Sequence, residues 1–324
     1  MAMFFAIAST ILGSIIGAGF STGQEVFYFF SRYKTTSFWY ISIASFLIFL
    51  ILLYFSNTGF DNGILNKVLK LYIMLFSFVT LIVMFSAFGQ LGFEFLGVNR
   101  YLFTILCFVL SIIIYSHGFA SVINVNKIVV SLLIGTIFIV FLKDTFSKEV
   151  LLQFDVLTDT LRKLYSTHLS PILYATYNSL LAFPVIYKLK DRFKNRELKI
   201  GIIIASILIF ILLNLINIII LSNPSSQTSQ MPLLKATNNH ILRAVLILCT
   251  FLEILTTILA NYMGLCYSIK SSEIQNIVMI VALLLGFNGF EQLLRSLYSL
   301  MGYLGIGVII MMLLSTFLKE KQLK

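Results

Sequence analysis

Residues 13–25 read GSIIGAGFSTGQE, inside the first long apolar run of the chain. A helix that merely crosses a bilayer has no use for Gly13, Gly17, Gly19 and Gly23 beside Ser21, Thr22, Gln24 and Glu25. Glycine costs a helix interior about 1 kcal/mol relative to alanine, and each unsatisfied backbone group in hydrocarbon costs several kcal/mol. Non-helical backbone persists at that depth only where protein buries it or a wet cavity runs beside it. The stretch therefore reads as a broken helix at a binding site near the bilayer midplane.

The composition around it is that of a membrane protein. The chain has 324 residues, 59% hydrophobic and 11% charged, with a mean hydropathy of +0.98. Soluble domains carry about 25% charged residues. Residues 1–324 read as one transmembrane domain, because length-based domain counts do not apply to a bundle of spanning helices. The net charge of +10 is concentrated in short loops. That is the cytoplasmic-loop bias of membrane proteins, and no nucleic-acid partner is implied. Cys107, Cys249 and Cys266 lie in apolar runs without metal-ligand spacing, so they read as small buried hydrophobes, and His117, His168 and His240 are scattered. The N-terminal run lacks a basic leader and a cleavage site and reads as a retained helix. No nucleotide-binding loop, zinc motif, Ser/Lys dyad or aspartate pair is present, so no enzyme and no cofactor is expected.

At about 20 residues per span, the expected fold is all-α with ten transmembrane helices. They fall near 3–29 (broken), 37–55, 69–93, 101–116, 122–142, 169–189 (broken), 200–222, 241–268, 274–290 and 297–318. The loop at 188–199 holds six basic residues in twelve and sets the orientation: both termini are expected in the cytoplasm. Two outer segments exceed tight turns. Residues 143–168 suggest a short surface helix, and 223–239 contain Pro224 and Pro232, expected to interrupt regular structure; either is a lid or a plain connection.

Three stretches carry candidate chemistry. Thr22-Gly-Gln-Glu25 has the spacing of a capping box, so a second half-helix is expected to start near Ser21, with Gln24 and Glu25 capping it or facing a cavity. Glu25 there would disfavour a substrate carboxylate and welcome an ammonium. In the eighth helix Glu253, Thr256, Thr257, Ala260 and Gly264 recur on one face. A mid-helix carboxylate costs roughly 2.5–3.5 kcal/mol on insertion scales, so Glu253 is expected inside the bundle. The threonines either complete an oxygen shell for a small cation or bond back to their own helix. The sixth helix, SPILYATYNSLLAFPVIYKL, brings Tyr174, Tyr177, Asn178 and Ser179 ahead of Pro184, where a second break is expected. Gln90, with Ser86 one turn earlier, is a similar polar candidate; Asn214 and Asn217 read as helix–helix glue.

GAGFSTGQE, Tyr177-Asn178 before Pro184, and Glu253-x-x-Thr256-Thr257 together resemble the YkvI-like bacterial membrane proteins of the amino acid–polyamine–organocation superfamily. The resemblance runs over essentially the whole chain and is most specific at GAGF-x-x-GQE. It implies the LeuT-type fold: five helices repeated with inverted topology, about 1–165 and 166–324, with the first and sixth interrupted. In sodium-coupled relatives one ion sits between the first and eighth helices. Matched onto this chain, Gly13 and Ile16 would donate carbonyls, Glu253 its backbone carbonyl, and Thr256 and Thr257 their hydroxyls. The substrate would lie beside Gly17, Ala18, Gly19, Phe20, Tyr174 and Asn178, with Gln24, Gln90 and Tyr177 as further candidates.

The expected function is secondary active transport of a small polar or zwitterionic solute, an amino acid or derivative, by sodium symport across the bacterial cell membrane. Two alternatives stand beside it. One is proton coupling through Glu253, since Lys127, the only lysine on the fifth helix, lies towards its cytoplasmic end. The other is a ligand-sensing subunit like those of spore germinant receptors.

Overall fold

The computed structural model describes residues 2–57, 63–116, 120–145, 169–269 and 271–322. Among these residues every regular element is helical and no strand occurs. In chain order the helices are α1 (Ala2–Ile15), α2 (Ala18–Ser21), α3 (Gln24–Phe29), α4 (Thr36–Asn57), α5 (Gly63–Leu96), α6 (Arg100–Ser116) and α7 (Ala120–Val140). They continue as α8 (Ser170–Lys190), α9 (Asn195–Leu221), α10 (Pro232–Ala236), α11 (His240–Ser268), α12 (Ser272–Gly286), α13 (Phe290–Leu293) and α14 (Ser299–Gln322). A π-turn at Leu294–Tyr298 joins the last two without a break.

By length and composition six described segments can cross a membrane: Thr36–Asn57, Gly63–Leu96, Ile128–Thr145, Asn195–Leu221, His240–Tyr262 and Phe290–Phe317. Three shorter helices, Met3–Ile15, Arg100–Tyr115 and Ser272–Gly286, are also apolar. Their outward faces carry large exposed hydrophobics such as Phe46, Leu102, Ile207, Leu284 and Phe317, which suit lipid rather than water. α8 differs because it is an inner helix. Tyr174, Thr176, Tyr177, Asn178 and Ser179 are all buried, and protein surrounds them where the other helices meet lipid.

The helices pack as two groups. α1, α4, α8 and α9 lie against one another, with α14 along α8; α5 packs on α6, α11 and α12. α7 runs along α11, and the short α2 touches α11 across the gap between the groups. One buried polar contact ties the first group: Asn217 Nδ2 donates to Ser37 Oγ at 2.8 Å, as expected of helix glue. Asn214 does not act that way; its amide bonds back to the Phe210 carbonyl on its own helix.

The first segment is broken twice. The α1 ladder ends where the Ile16 N–H reaches the Leu12 carbonyl (2.7 Å), and it resumes with Phe20 and Ser21 donating to the Gly17 carbonyl. The second break is Thr22-Gly23, with Gly23 left-handed at φ 76°. The expected capping box is not formed. Gly23 is the N-cap of α3 and makes no side-chain bond, while the Thr22 hydroxyl donates to the Gly19 carbonyl at 3.0 Å. The Glu25 carboxylate is drawn away to partners on α8, described below. The glycine-rich stretch accordingly holds two short breaks around one helical turn, rather than one break ahead of a restart near Ser21.

The break expected in the sixth helix is absent: α8 is continuous through Pro184. Proline removes one N–H and crowds the preceding turn, at about 3 kcal/mol or more. Here no glycine accompanies it, and packing against α1, α4 and α14 holds the helix together on several sides.

Two further expectations change. Pro224 and Pro232 start short helices (Pro224–Thr228 and α10) because each occupies a first-turn position, where the missing N–H is harmless. α5 begins at Gly63, six residues before the expected start at 69, and takes in Lys67. The surface helix expected at 143–168 lies, from 146 on, outside the described residues, as do His117, His168 and the boundary between the two expected repeats. Cys107 and Cys249 are buried free thiols, as expected.

Candidate functional site: an acidic cavity beside the broken helix

A cavity of about 220 Å3 lies between the two helix groups. Gly13 to Gly17 and Gly19 form one wall, the end of α1 and the first break. The last carbonyls of a helix have no partners within it, so this wall offers acceptors. Opposite stands α11, with Glu253, Thr256 and Thr257 on one face, as their spacing indicated, and Ala260 and Asn261 one turn further. α5 supplies Phe76, Thr80 and Met84; α8 supplies Tyr177, Asn178 and Leu181; Glu25 and Tyr298 complete it.

Glu25 is 3% exposed, and its carboxylate points across the cavity to α8. The Tyr177 hydroxyl donates to Glu25 Oε1, and Asn178 Nδ2 approaches the same oxygen at 3.5 Å while also donating to the Tyr174 carbonyl at 3.1 Å. The other oxygen, Oε2, lies so close to Gly19 that a Cβ there would sit 2.6 Å from it. Glycine at 19 is what lets the carboxylate fold against the backbone. Asn178 Oδ1 has no partner.

Glu253 is 1% exposed, and its Oε2 has no hydrogen-bond partner. Its backbone carbonyl accepts from the Thr256 hydroxyl at 3.1 Å, so Thr256 is bonded back to its own helix in this structure. No lysine, arginine or histidine is among the described residues that line the cavity. No group of three His, Cys, Asp or Glu side chains able to hold a metal occurs among the described residues.

The cavity is closed at one end by stacked rings. Phe76 and Tyr177 lie 5.9 Å apart and nearly parallel, with Tyr298 5.4 Å from Tyr177. Behind them Phe29 and Phe30 pack on Tyr174 at 5.5 and 4.8 Å. Beyond the second break, α10 lies on α3, where Leu233 N–H donates to the Thr22 carbonyl at 3.0 Å. At the other end Ala260 is exposed, and Gly13, Ser14 and Asn261 are half-buried.

The sequence candidates therefore separate. Gly13, Ile16, Gly17, Gly19, Glu25, Tyr177, Asn178, Glu253, Thr256 and Thr257 line the cavity. Ala18 belongs to the same turn through its backbone. Phe20, Gln24 and Tyr174 are buried but lie behind the wall; Tyr174 is part of the ring packing. Gln90 is elsewhere: its amide donates to Glu94 Oε1 at 2.8 Å, and Glu94 in turn accepts from Ser229 Oγ (2.6 Å) and Gln230 N–H (3.1 Å). Ser86 likewise serves a turn, donating to the Asn288 carbonyl at 2.5 Å. Sequence reasoning missed Phe76, Thr80, Met84 and Tyr298. Phe76 and Met84 are apolar side chains among many on α5, Thr80 is a hydroxyl that also bonds back to the Phe76 carbonyl, and the π-turn that positions Tyr298 leaves no sequence signature.

No model of a known protein family matches the chain. Among curated proteins the chain is similar to the Bacillus subtilis (strain 168) protein described as "uncharacterized membrane protein YkvI". The two are 23% identical over 336 residues, covering 94% of this chain and 93% of that one. Among solved structures it is similar to the substrate-bound, outward-open state of a Na+-coupled sialic acid symporter. There the TM-score is 0.55 at 15% identity, covering 94% of this chain and 77% of that one. The resemblance read from the motifs thus holds in sequence, and the overall fold is that of a LeuT-like membrane transporter structure. With the apolar helices above, the chain is a multi-pass membrane protein.

Proposed function

We propose that the protein is a secondary active transporter of the amino acid–polyamine–organocation superfamily, with ten spanning helices arranged as two inverted five-helix repeats. It moves a small polar solute, an amino acid or derivative, by sodium symport across the bacterial cell membrane, with both termini in the cytoplasm. The observation that carries this reading is the cavity: it is bounded by a twice-broken helix and lies between two helix groups that pack mainly within themselves. Rocking of the α1, α4, α8 and α9 group against the α5, α6, α11 and α12 group would expose it to each side in turn. The aromatic layer closes one side in this structure, while Ala260 and Asn261 border the other.

In this reading the solute lies against Gly17, Ala18 and Gly19, with Tyr177 and Asn178 beyond. Sodium takes the carbonyls of Gly13, Ile16 and Glu253 and the hydroxyls of Thr256 and Thr257. All five line one cavity, and the likeness to a sodium-coupled symporter supports the assignment. Binding the ion requires the Thr256 hydroxyl to present its oxygen to the cation while its proton keeps an acceptor. Each ligand must favour one state over the other to shift its population. A second reading, proton coupling, draws on one observation, the unpartnered Glu253 Oε2 in the cavity wall.

Thermal-shift titration of the purified protein tests the ion. Solute affinity is expected to rise when potassium is replaced by sodium, and to lose that dependence in Thr256→Ala and Thr257→Ala. Equal affinity in both salts, with uptake driven by a pH gradient, would replace sodium with the proton.

A further inference from the structure

Glu25 and Glu253 give the cavity two carboxyl groups, and none of its described lining residues is basic. We infer that the solute is a small organic ammonium without a carboxylate, an amine rather than an amino acid. The inference rests on the cavity being the solute site, and among the small polar solutes named above it selects amines over amino acids.

Donors and acceptors on the wall are unequally committed. The two side-chain donors nearest Glu25, the Tyr177 hydroxyl and Asn178 Nδ2, are both spent on its carboxylate and on the Tyr174 carbonyl. Two side-chain acceptors are left open. Asn178 Oδ1 and Glu253 Oε2 are buried without partners, on residues each 1% exposed. Buried polar atoms in native proteins are nearly always paired, so two open acceptors in the lining of one cavity, one on α8 and one on α11, suit a donor-rich ligand. An ammonium group carries up to three N–H donors and no acceptor. A carboxylate brings only acceptors and would face two acids with no basic side chain among the described lining residues to offset them.

The rings strengthen the preference. Phe76, Tyr177 and Tyr298 surround the Glu25 end with centroids 5.4 to 5.9 Å apart. Aromatic faces attract cations, most strongly when water is excluded. Size bounds the solute: about 220 Å3 lies below the roughly 300–1,000 Å3 of pockets for drug-sized ligands.

Matched pairs that differ only by the carboxylate provide the test: ethanolamine against serine, and isobutylamine against valine. Each is titrated into the purified full-length protein in sodium buffer and followed by thermal shift and by calorimetry. At least one amine is expected to bind about tenfold or more tightly than its parent amino acid, a difference of about 1.4 kcal/mol. Glu25→Gln and Glu253→Gln are each expected to weaken that amine by a similar factor, while Glu253→Asp retains binding. The wild-type comparison needs no variant and stands if the substitutions misfold. Amino acids binding as tightly as their amines, or no amine binding, would overturn the inference. Uptake into vesicles separates it from the transport reading. An amine that binds but is not carried leaves the solute class intact and removes the transporter; serine or valine carried without amine binding does the reverse.

Discussion

Gly23→Ala is expected to be the most damaging single-methyl change in the broken helix. Gly23 holds φ 76°, and an L side chain in that left-handed region costs about 1–2 kcal/mol. The added Cβ would also land 2.6 Å from Leu233 Cβ and 2.8 Å from Leu233 N. The second of these is backbone, so no rotamer change relieves it. α10 must move, and overpacking of this kind costs about 1–3 kcal/mol. Together these give about 2–5 kcal/mol, and the bond from Leu233 N–H to the Thr22 carbonyl is weakened with them. Gly13→Ala is the control: nothing lies within 4 Å of its added Cβ, and the residue is inside α1. Alanine there is expected to be neutral or to stabilise by about 0.5–1 kcal/mol. Reversible unfolding in mixed micelles measures both, and limited proteolysis of 222–239 shows whether α10 is displaced. Wild-type stability in Gly23→Ala, or equal damage from Gly13→Ala, would refute this account of the second break.

Other substitutions separate the site from the scaffold. In Gly19→Ala the new Cβ meets Glu25 Oε2 at 2.6 Å, the far end of a flexible side chain. Solute affinity measured by calorimetry should fall while the melting temperature drops less than in Gly23→Ala. Glu94→Ala removes the acceptor shared by Gln90, Ser229 and Gln230, so a loss of about 1.5–3 kcal/mol and faster proteolysis around 222–231 are expected. Asn217→Ala deletes the buried bond to Ser37, and unfolding should register a loss of about 0.6 kcal/mol and no more than about 1.7 kcal/mol, the average and the maximum for such interhelical bonds in a membrane.

The parts of the fold that follow from periodicity and apolar length were legible in the sequence. The face shared by Glu253, Thr256 and Thr257 is found where the spacing indicated, and the first segment is interrupted within its glycine-rich stretch, although at Ile16-Gly17 and Thr22-Gly23. The errors arise where tertiary contacts decide. Glu25 has the spacing of a cap, but Tyr177 and Asn178 compete for its carboxylate from a helix about 150 positions away. Pro184 predicts a break, yet packing on several sides of α8 outweighs one lost hydrogen bond. Gln90 looked like a cavity residue because its partners, Glu94 and the 229–230 turn, are brought together only by the fold. Phe76 and Met84 resemble any lipid-facing side chains until α8 and α11 are seen across from them.

Uptake of a labelled solute by protein reconstituted in vesicles tests the central claim most directly. A solute found to bind in the matched-pair screen should accumulate against its gradient when sodium is imposed outside, and Thr256→Ala/Thr257→Ala should abolish that accumulation while leaving the protein folded. Accumulation that persists in potassium alone, or in the double substitution, would contradict sodium-coupled transport through this cavity.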